Sequence, residues 1–172
     1  MIKNTFKYYF NFFRYKNFKR FFDLFFAVLL IILSFPLLIL ICFLVYVNFG
    51  FPIIFEQKRP GYKNKIFTLY KFRSMKVVRD KEGKMISDEL RLTKFGSWLR
   101  STSMDELPEL LNIIKGEMSF VGPRPLLIDY LKFYNAKEIR RHNVRPGITG
   151  LAQTKGRNLL SWEDKFNYDV FY

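Results

Sequence analysis

Apolar residues crowd the front of this chain and are interleaved with polar ones in the rest. No side chain in residues 24–55 carries a charge, and the run 24–47 is long enough for a helix to cross the hydrocarbon core of a bilayer. It is too long for the apolar region of a cleaved signal peptide, and no small-residue cleavage site follows it, so the segment is expected to stay in the mature protein. Near its middle stands Leu33-Ser34-Phe35-Pro36, where Pro36 lacks a backbone donor and releases the carbonyl of Ile32. Ser34 can donate to a nearby carbonyl and ease a break there. After the turn Asn48-Phe49-Gly50-Phe51-Pro52, residues 53–55 and 65–72 have the character of short strands, separated by a turn at Pro60-Gly61. Residues 79–88 are polar and form a surface loop. Leu90, Phe95, Trp98 and Leu99 recur near helical spacing and predict a helix over 88–100. Ser103 and Glu106 match a capping box that opens a further helix, with Leu107, Leu110, Leu111 and Ile114 as its buried stripe and Gly116 as its end.

Charge decides how the apolar segment is expected to sit. Residues 1–20 hold six basic residues (Lys3, Lys7, Arg14, Lys16, Lys19, Arg20) and no acid. Residues 57–76 hold seven (Lys58, Arg59, Lys63, Lys65, Lys71, Arg73, Lys76) and again no acid. Basic flanks stay on the cytoplasmic side, so both ends of the segment ask for the same side. This favours a re-entrant helix-break-helix hairpin, broken at Ser34 and Pro36, over a spanning helix with a proline kink. The expected organisation is therefore a basic interfacial segment at 1–20 touching anionic membrane lipids, a membrane hairpin at 21–52 and one further domain at 53–172. The fold class is α+β, helix-rich and monotopic. Beyond the anchor the 172-residue chain leaves about 115 residues, enough for one modest core.

Composition narrows the chemistry. The formal net charge is +14, from 29 Lys and Arg against 15 Asp and Glu, and calls for an anionic partner. An aromatic content of 19% argues against a disordered basic tail. No helix-turn-helix, ribonucleoprotein or zinc-finger signature is present, so no nucleic-acid partner is expected. Cys42 and His142 are each the sole residue of their kind, which excludes an intrachain disulfide and leaves any metal to carboxylates, hence to a hard cation such as Mg²⁺. Asp105 and Glu106 are the adjacent acids that draw attention. Capping explains Glu106 fully and Asp105 in part, but their surroundings favour chemistry. Arg100 lies just upstream, Arg124 is fixed between Pro123 and Pro125, and Arg145 precedes the turn Pro146-Gly147. A guanidinium with little conformational freedom to lose suits a phosphate. Two function classes stay open at this point: an enzyme handling phosphorylated substrates, and a membrane-tethered basic binding or scaffolding protein without catalysis.

The strings Lys19-Arg20-Phe21-Phe22-Asp23, Gln57-Lys58-Arg59-Pro60-Gly61, Tyr70-Lys71-Phe72-Arg73-Ser74-Met75, Ser103-Met104-Asp105-Glu106-Leu107-Pro108, Phe120-Val121-Gly122-Pro123-Arg124-Pro125, Arg145-Pro146-Gly147-Ile148-Thr149-Gly150 and Gly156-Arg157-Asn158 together resemble a known family. It is that of the small monotopic phosphoglycosyl transferases, or bacterial sugar transferases. The resemblance covers nearly the whole chain from Lys19 and is nearest to the Campylobacter-type enzymes of N-linked protein glycosylation. It implies transfer of a sugar 1-phosphate from a UDP-sugar, there a diacetamido-trideoxy sugar, to polyprenyl (undecaprenyl) phosphate with release of UMP. It also implies a bacterial inner membrane location, with the active site on the cytoplasmic face. Asp105 inherits the role of nucleophile through a covalent phosphosugar intermediate, and Glu106 that of helping to hold Mg²⁺. Arg100, Arg124 and Arg145 become candidates for the phosphates or the nucleotide. One departure is local: the family places Ser directly before the breaking Pro, where this chain inserts Phe35. The resemblance also implies further amphipathic helices after Tyr172, so a shortened chain is expected.

Overall fold

The computed structural model describes residues 2–156 and 159–172, with side chains from residue 17 onward. The side chains of Lys3, Lys7, Arg14 and Lys16 in the basic segment, and Arg157 and Asn158 of the last motif, lie outside the described residues. Helix α1 runs from Ile2 to Phe49 and is apolar on every side through its second half. Its most apolar window is only 11% buried inside the protein, against the mostly buried state of a soluble core helix. Ile32, Leu33, Phe35, Phe43 and Val47 are each more than half exposed. An apolar surface of this extent calls for lipid or a partner.

The expectation of a helix-break-helix is corrected here. Pro36 lies inside one uninterrupted helix. A proline removes one backbone bond, and Ser34 Oγ, one turn from its own acceptor, donates to the Leu30 carbonyl at 2.6 Å. The local loss is thus spread over a helix that long stretches of good helix formers keep wound on both sides. The residues of α1 that face the protein are Asp23, Ala27, Ile31, Ser34, Leu38, Ile41, Val45 and Phe49, spaced three or four apart. They make one narrow stripe from Asp23 to Phe49.

Strands β1 (Ile54–Pro60) and β2 (Ile66–Phe72) form an antiparallel hairpin, Ile54 opposite Phe72 and Pro60 opposite Ile66, closed by a 3₁₀ turn at Tyr62–Asn64. Helices α2 (Asp88–Arg91) and α3 (Lys94–Ser101) replace the single helix expected over 88–100. The interruption has a cause: Thr93 is extended and its hydroxyl accepts from Gly96 N, which starts a new helix. Helix α4 is Glu109–Lys115, ended by Gly116 at φ 84° as anticipated. Its beginning is corrected. Ser103 has φ 57° and makes no cap, residues Met104–Glu106 form a 3₁₀ turn, and α4 opens only after Pro108. Its buried stripe is corrected too: Leu110, Ile113, Asn112 and Glu109 are buried while Leu111 is 49% exposed.

Two short parallel strands follow, β3 (Ser119–Val121) and β4 (Gly147–Thr149). The chain closes with α5 (Leu151–Lys155) and α6 (Trp162–Phe171). The core lies beneath α1 in two clusters. Ala27 packs with Phe67, Leu69, Leu110, Ile113 and Met118, while Ile41 and Val45 pack with Phe72 and Leu99. Leu107 touches both, so the segment carrying the acidic pair is wedged where the two halves of the core meet. The resulting class is mixed helix and sheet with helix in excess.

Candidate active site

A cavity of about 1000 Å³ opens on the face shared by the hairpin, α2, α3 and the 3₁₀ turn, and Asp105, Glu106, Arg100 and Arg124 all line it. Three elements deliver them. The left-handed backbone of Ser103 turns the chain sharply after α3, so that Asp105 and Glu106 leave a tight turn rather than a regular helix. This removes the capping explanation for Glu106, whose carboxylate faces the cavity. Glu106 Oε1 accepts from Lys71 Nζ at 2.6 Å and from Arg124 Nη2. Arg124 reaches it from the Pro123-Arg124-Pro125 loop, whose main-chain carbonyl is held by Arg141 Nη2 at 2.7 Å. That loop sits directly on the other Arg-Pro loop. A Cβ on Gly147 would lie 2.2 Å from Gly122 N, so only glycine permits the approach. Arg100 comes from the last turn of α3 and donates through Nε to Ser74 Oγ at 2.9 Å.

Asp105 is buried, at 7% exposure, and among the described residues no other side chain donates a hydrogen bond to its carboxylate. Burial raises its pKa above the usual aspartate value; Lys71 and Arg100 oppose this, and Glu106 adds to it. Glu106 goes the other way. Burial pushes it up, but the hydrogen bond and charge of Arg124, with Lys71, outweigh that and hold it below the usual range. The two neighbours are thus differentiated: one carboxylate committed to cations, the other open to the cavity. Beneath them Glu109 is buried against Lys71, Oε1 to Nζ 3.1 Å. Burial raises it to about 7, with Lys71 opposing and Glu106 reinforcing.

Reading the sequence missed Lys71 and Glu109. On β2, Phe67 and Leu69 are buried and Lys71 shares their side of the strand. A cation at a buried alternation is a signal that would have found it. Asn112 fixes this register: its amide donates to Thr68 O at 2.7 Å and its Oδ1 accepts from Tyr70 N at 3.2 Å, closing the open edge of β2. Arg59, Arg73 and Arg91 also line the cavity.

Arg145 is not among these residues. Its Nε donates to Gly116 O at 2.8 Å, and it lines a separate cavity with Lys19 and Arg20. Ser34 and Pro36 stay within α1, away from the acidic pair.

Among the described residues no group of three or more His, Cys, Asp or Glu is arranged to hold a metal ion. Asp105 and Glu106 are adjacent carboxylates lining the cavity, and phosphoryl-transfer sites commonly hold Mg²⁺ with one or two carboxylates together with substrate phosphate and water.

The sequence profile of the bacterial sugar transferases matches residues 14–172. The chain is 52% identical over 154 residues to the uncharacterized sugar transferase EpsL of Bacillus subtilis, an alignment covering 90% of this chain and 76% of that protein. It is 40% identical over 165 residues to the UDP-glucose:undecaprenyl-phosphate glucose-1-phosphate transferase of Klebsiella pneumoniae, covering 90% of this chain and 36% of that one. It is 36% identical over 172 residues to the undecaprenyl-phosphate galactose phosphotransferase of Salmonella typhimurium, again 90% and 36%. The chain therefore spans about three quarters of the first and about a third of the other two. A match that begins at Arg14 and takes in the whole cavity places this chain in the bacterial sugar transferase family.

Proposed function

We propose that this chain transfers a sugar 1-phosphate from a UDP-sugar to undecaprenyl phosphate or a related polyprenyl phosphate, releasing UMP. One observation carries the reading: a buried carboxylate, Asp105, that no side chain holds among the described residues, facing a large cavity lined by Arg59, Lys71, Arg73, Arg100 and Arg124. A diphosphate brings negative charge, and fixed guanidinium groups stabilise it as charge shifts towards the leaving oxygen. The names of the Klebsiella and Salmonella relatives carry the same acceptor lipid.

In the first displacement an Asp105 carboxylate oxygen attacks the sugar-bearing phosphorus. The phosphoanhydride bond breaks and UMP leaves with the bond's electron pair, giving an aspartyl-phosphosugar acyl phosphate, a mixed anhydride. In the second, a phosphate oxygen of the lipid attacks the same phosphorus, and the aspartyl P–O bond breaks to restore the carboxylate. Splitting the transfer in two lets each partner bind in turn at one nucleophile. In this reading Glu106 takes the acceptor phosphate's proton, with Arg124 and Lys71 beside its carboxylate. Asp105 and Glu106 would hold Mg²⁺, which supplies neutralisation of phosphate charge when bound. Arg100 and Arg124 contact phosphate or nucleotide in this scheme.

Helix α1 supplies the location. Both ends of its apolar run are fastened to the same domain, Arg20 to Ile113 O and Ile114 O, and Phe49 against Phe95. That supports a monotopic seat on one leaflet, where a confined lipid phosphate and a soluble donor can meet. The cytoplasmic face of the bacterial inner membrane is the side where both basic flanks belong.

The test is UMP release in detergent with undecaprenyl phosphate and Mg²⁺ from a panel of donors. UDP-glucose and UDP-galactose enter because of the relatives' names, and the UDP-diacetamido-trideoxy sugar because of the Campylobacter-type resemblance. Release from one donor that vanishes in Asp105→Asn is the expected result. Release that survives the substitution refutes the nucleophile, and no release from any donor favours a binding role without catalysis.

A further inference from the structure

Arg145, on its rigid Arg-Pro loop, is left without a part in the reaction cavity. It lines a second cavity of about 210 Å³ together with Lys19, Arg20, Asp23, Ser119 and Asn143, and the two cavities share no residue. Three cations here face a single carboxylate, and that carboxylate is already engaged. Asp23 Oδ1 accepts from Ser119 Oγ at 3.0 Å and Phe120 N at 3.2 Å, and its Oδ2 lies 3.5 Å from Lys19 Nζ. Arg20 spends both terminal nitrogens on Ile113 O and Ile114 O at the end of α4. Capping of that helix end accounts for Arg20 and for Arg145 Nε. It leaves the rest of Arg145 unexplained: among the described hydrogen bonds and ion pairs, none engages Nη1 or Nη2. A guanidinium edge with both terminal amino groups open to a cavity is the fork that pairs with two oxygens of a phosphate.

Position selects the phosphate. Lys19 and Arg20 directly precede the charge-free run of α1, the level at which a membrane helix meets lipid headgroups. Beside them Phe18 and Phe21 are 62% and 64% exposed, an apolar rim suited to acyl chains. A volume near 210 Å³ admits a headgroup phosphate but is small beside the 1000 Å³ of the reaction cavity. We propose that Arg145 is the hydrogen-bonding seat for the phosphate of one anionic glycerophospholipid, outside the reaction cavity, with Lys19 (already bonded to Ser119 Oγ, Val121 O and Asp23) and Arg20 adding only positive charge beside it. The inference rests on the membrane seating of α1. Held there, the lipid would clamp the foot of α1 to β3 and the Arg145 loop, joining the anchor to the domain through a ligand that only the membrane supplies.

The experiment is native mass spectrometry of the full chain in neutral detergent, titrated with phosphatidylglycerol or phosphatidylcholine. One saturable phosphatidylglycerol per chain is expected, with binding at least tenfold weaker for phosphatidylcholine and for Arg145→Gln. Equal retention of the two lipids, or undiminished phosphatidylglycerol binding by Arg145→Gln, overturns the site. Displacement by millimolar inorganic phosphate would make it a free-phosphate site, and one-for-one displacement by undecaprenyl phosphate an acceptor site; either overturns the assignment. Hydrogen exchange on the unmodified chain tests it without relying on a variant. Phosphatidylglycerol should slow exchange at 17–23 and 143–147, whereas slowing confined to 103–107 would locate the phosphate in the reaction cavity and refute it. Failure to enter vesicles of either lipid would instead bring down the membrane reading itself.

Discussion

Lys71 holds two carboxylates at once, Glu106 at 2.6 Å and Glu109 at 3.1 Å, and the second of these makes the fold sensitive to pH. Burial, reinforced by Glu106 and opposed by Lys71, raises Glu109 from 4.5 to about 7. Below pH 4.5 the group is protonated whether the chain is folded or not. As pH rises towards 7 the unfolded chain gives up the proton while the folded one keeps it, so stability falls across that window. The loss amounts to roughly 3 kcal/mol by pH 8. Glu109→Gln should therefore melt at a higher temperature than the parent at pH 8 and at the same temperature near pH 4.5. Thermal melts of the two proteins at both pH values check this, and parallel curves would refute it. A second position is set by sterics alone. A Cβ at Gly96 would lie 1.9 Å from Ser74 O, a backbone atom that cannot swing aside, and Ser74 Oγ is the partner of Arg100. Gly96→Ala should cost about 1–3 kcal/mol and lower UMP release by moving Arg100. Unchanged melting and turnover would show that α3 and the Ser74 loop can part without consequence. Neither position stood out in the sequence, because burial of Glu109 and the approach at Gly96 both depend on packing between distant segments.

Among the elements, α6 reaches the site by a relay of contacts. Asp169 Oδ2 accepts from Arg141 Nη2 at 2.6 Å, and the same nitrogen donates to the Arg124 carbonyl at 2.7 Å. Arg141 and Asp169 are 3% and 6% exposed, so neither charge is dissolved in water. Removing one partner strands the other in the interior, at about 3–5 kcal/mol. Asp169→Ala should release α6 to limited proteolysis near residues 159–161 and reduce turnover in step, since the Arg124 loop loses its brace. In an Arg124→Ala background the further loss of turnover should largely disappear, because the two changes act through one guanidinium. An equal fall in both backgrounds would reduce Arg141 to a fold-stabilising residue. The sequence spoke unevenly about such elements. A hairpin was visible because Pro60-Gly61 lies between two apolar runs, although β1 extends past the expected 53–55 to Pro60 and the turn falls at Tyr62–Asn64, and Gly116 marked the end of α4. The acidic pair was found by its company of arginines, although the capping box that helped to place it does not form. The αL turn at Ser103 belongs to a residue type that rarely takes it, and the split at Thr93 follows from a cap inside an otherwise good helical period. Arg124 and Arg145 looked equivalent, each beside a proline. Only the parallel pairing of β3 with β4 sends one to the acidic pair and the other to the foot of α1.

At the scale of the whole molecule the question is how a 48-residue helix carries a basic domain at a membrane. If α1 crossed the bilayer as a rod, the segments gripping the two ends of its apolar run would be separated by about 30 Å of hydrocarbon. Yet Lys19 and Arg20 hold residues 113–121, Phe49 holds Phe95, and the stripe between them touches the domain at every turn or so. To satisfy all of these contacts in a spanning arrangement, a domain rich in Lys and Arg would have to lie in the hydrocarbon, which is prohibitively costly for charged groups. In the proposed seating, which keeps the contacts and buries the bare faces of α1, the helix enters one leaflet with both flanks of its apolar run on one side. Pro36 need not break the helix for this; the side of the two flanks is what matters. The prediction is direct. Cys42 is the only cysteine, so Cys42→Ser gives a clean background for single cysteines at Lys16 and Lys81. Both Lys16→Cys and Lys81→Cys should react with a membrane-impermeant maleimide in inside-out vesicles and be protected in intact spheroplasts. If one position labels only from the opposite side, the helix spans, the contacts at one of its ends must open in the membrane, and the shared seating of acceptor lipid and Asp105 on one leaflet falls with them.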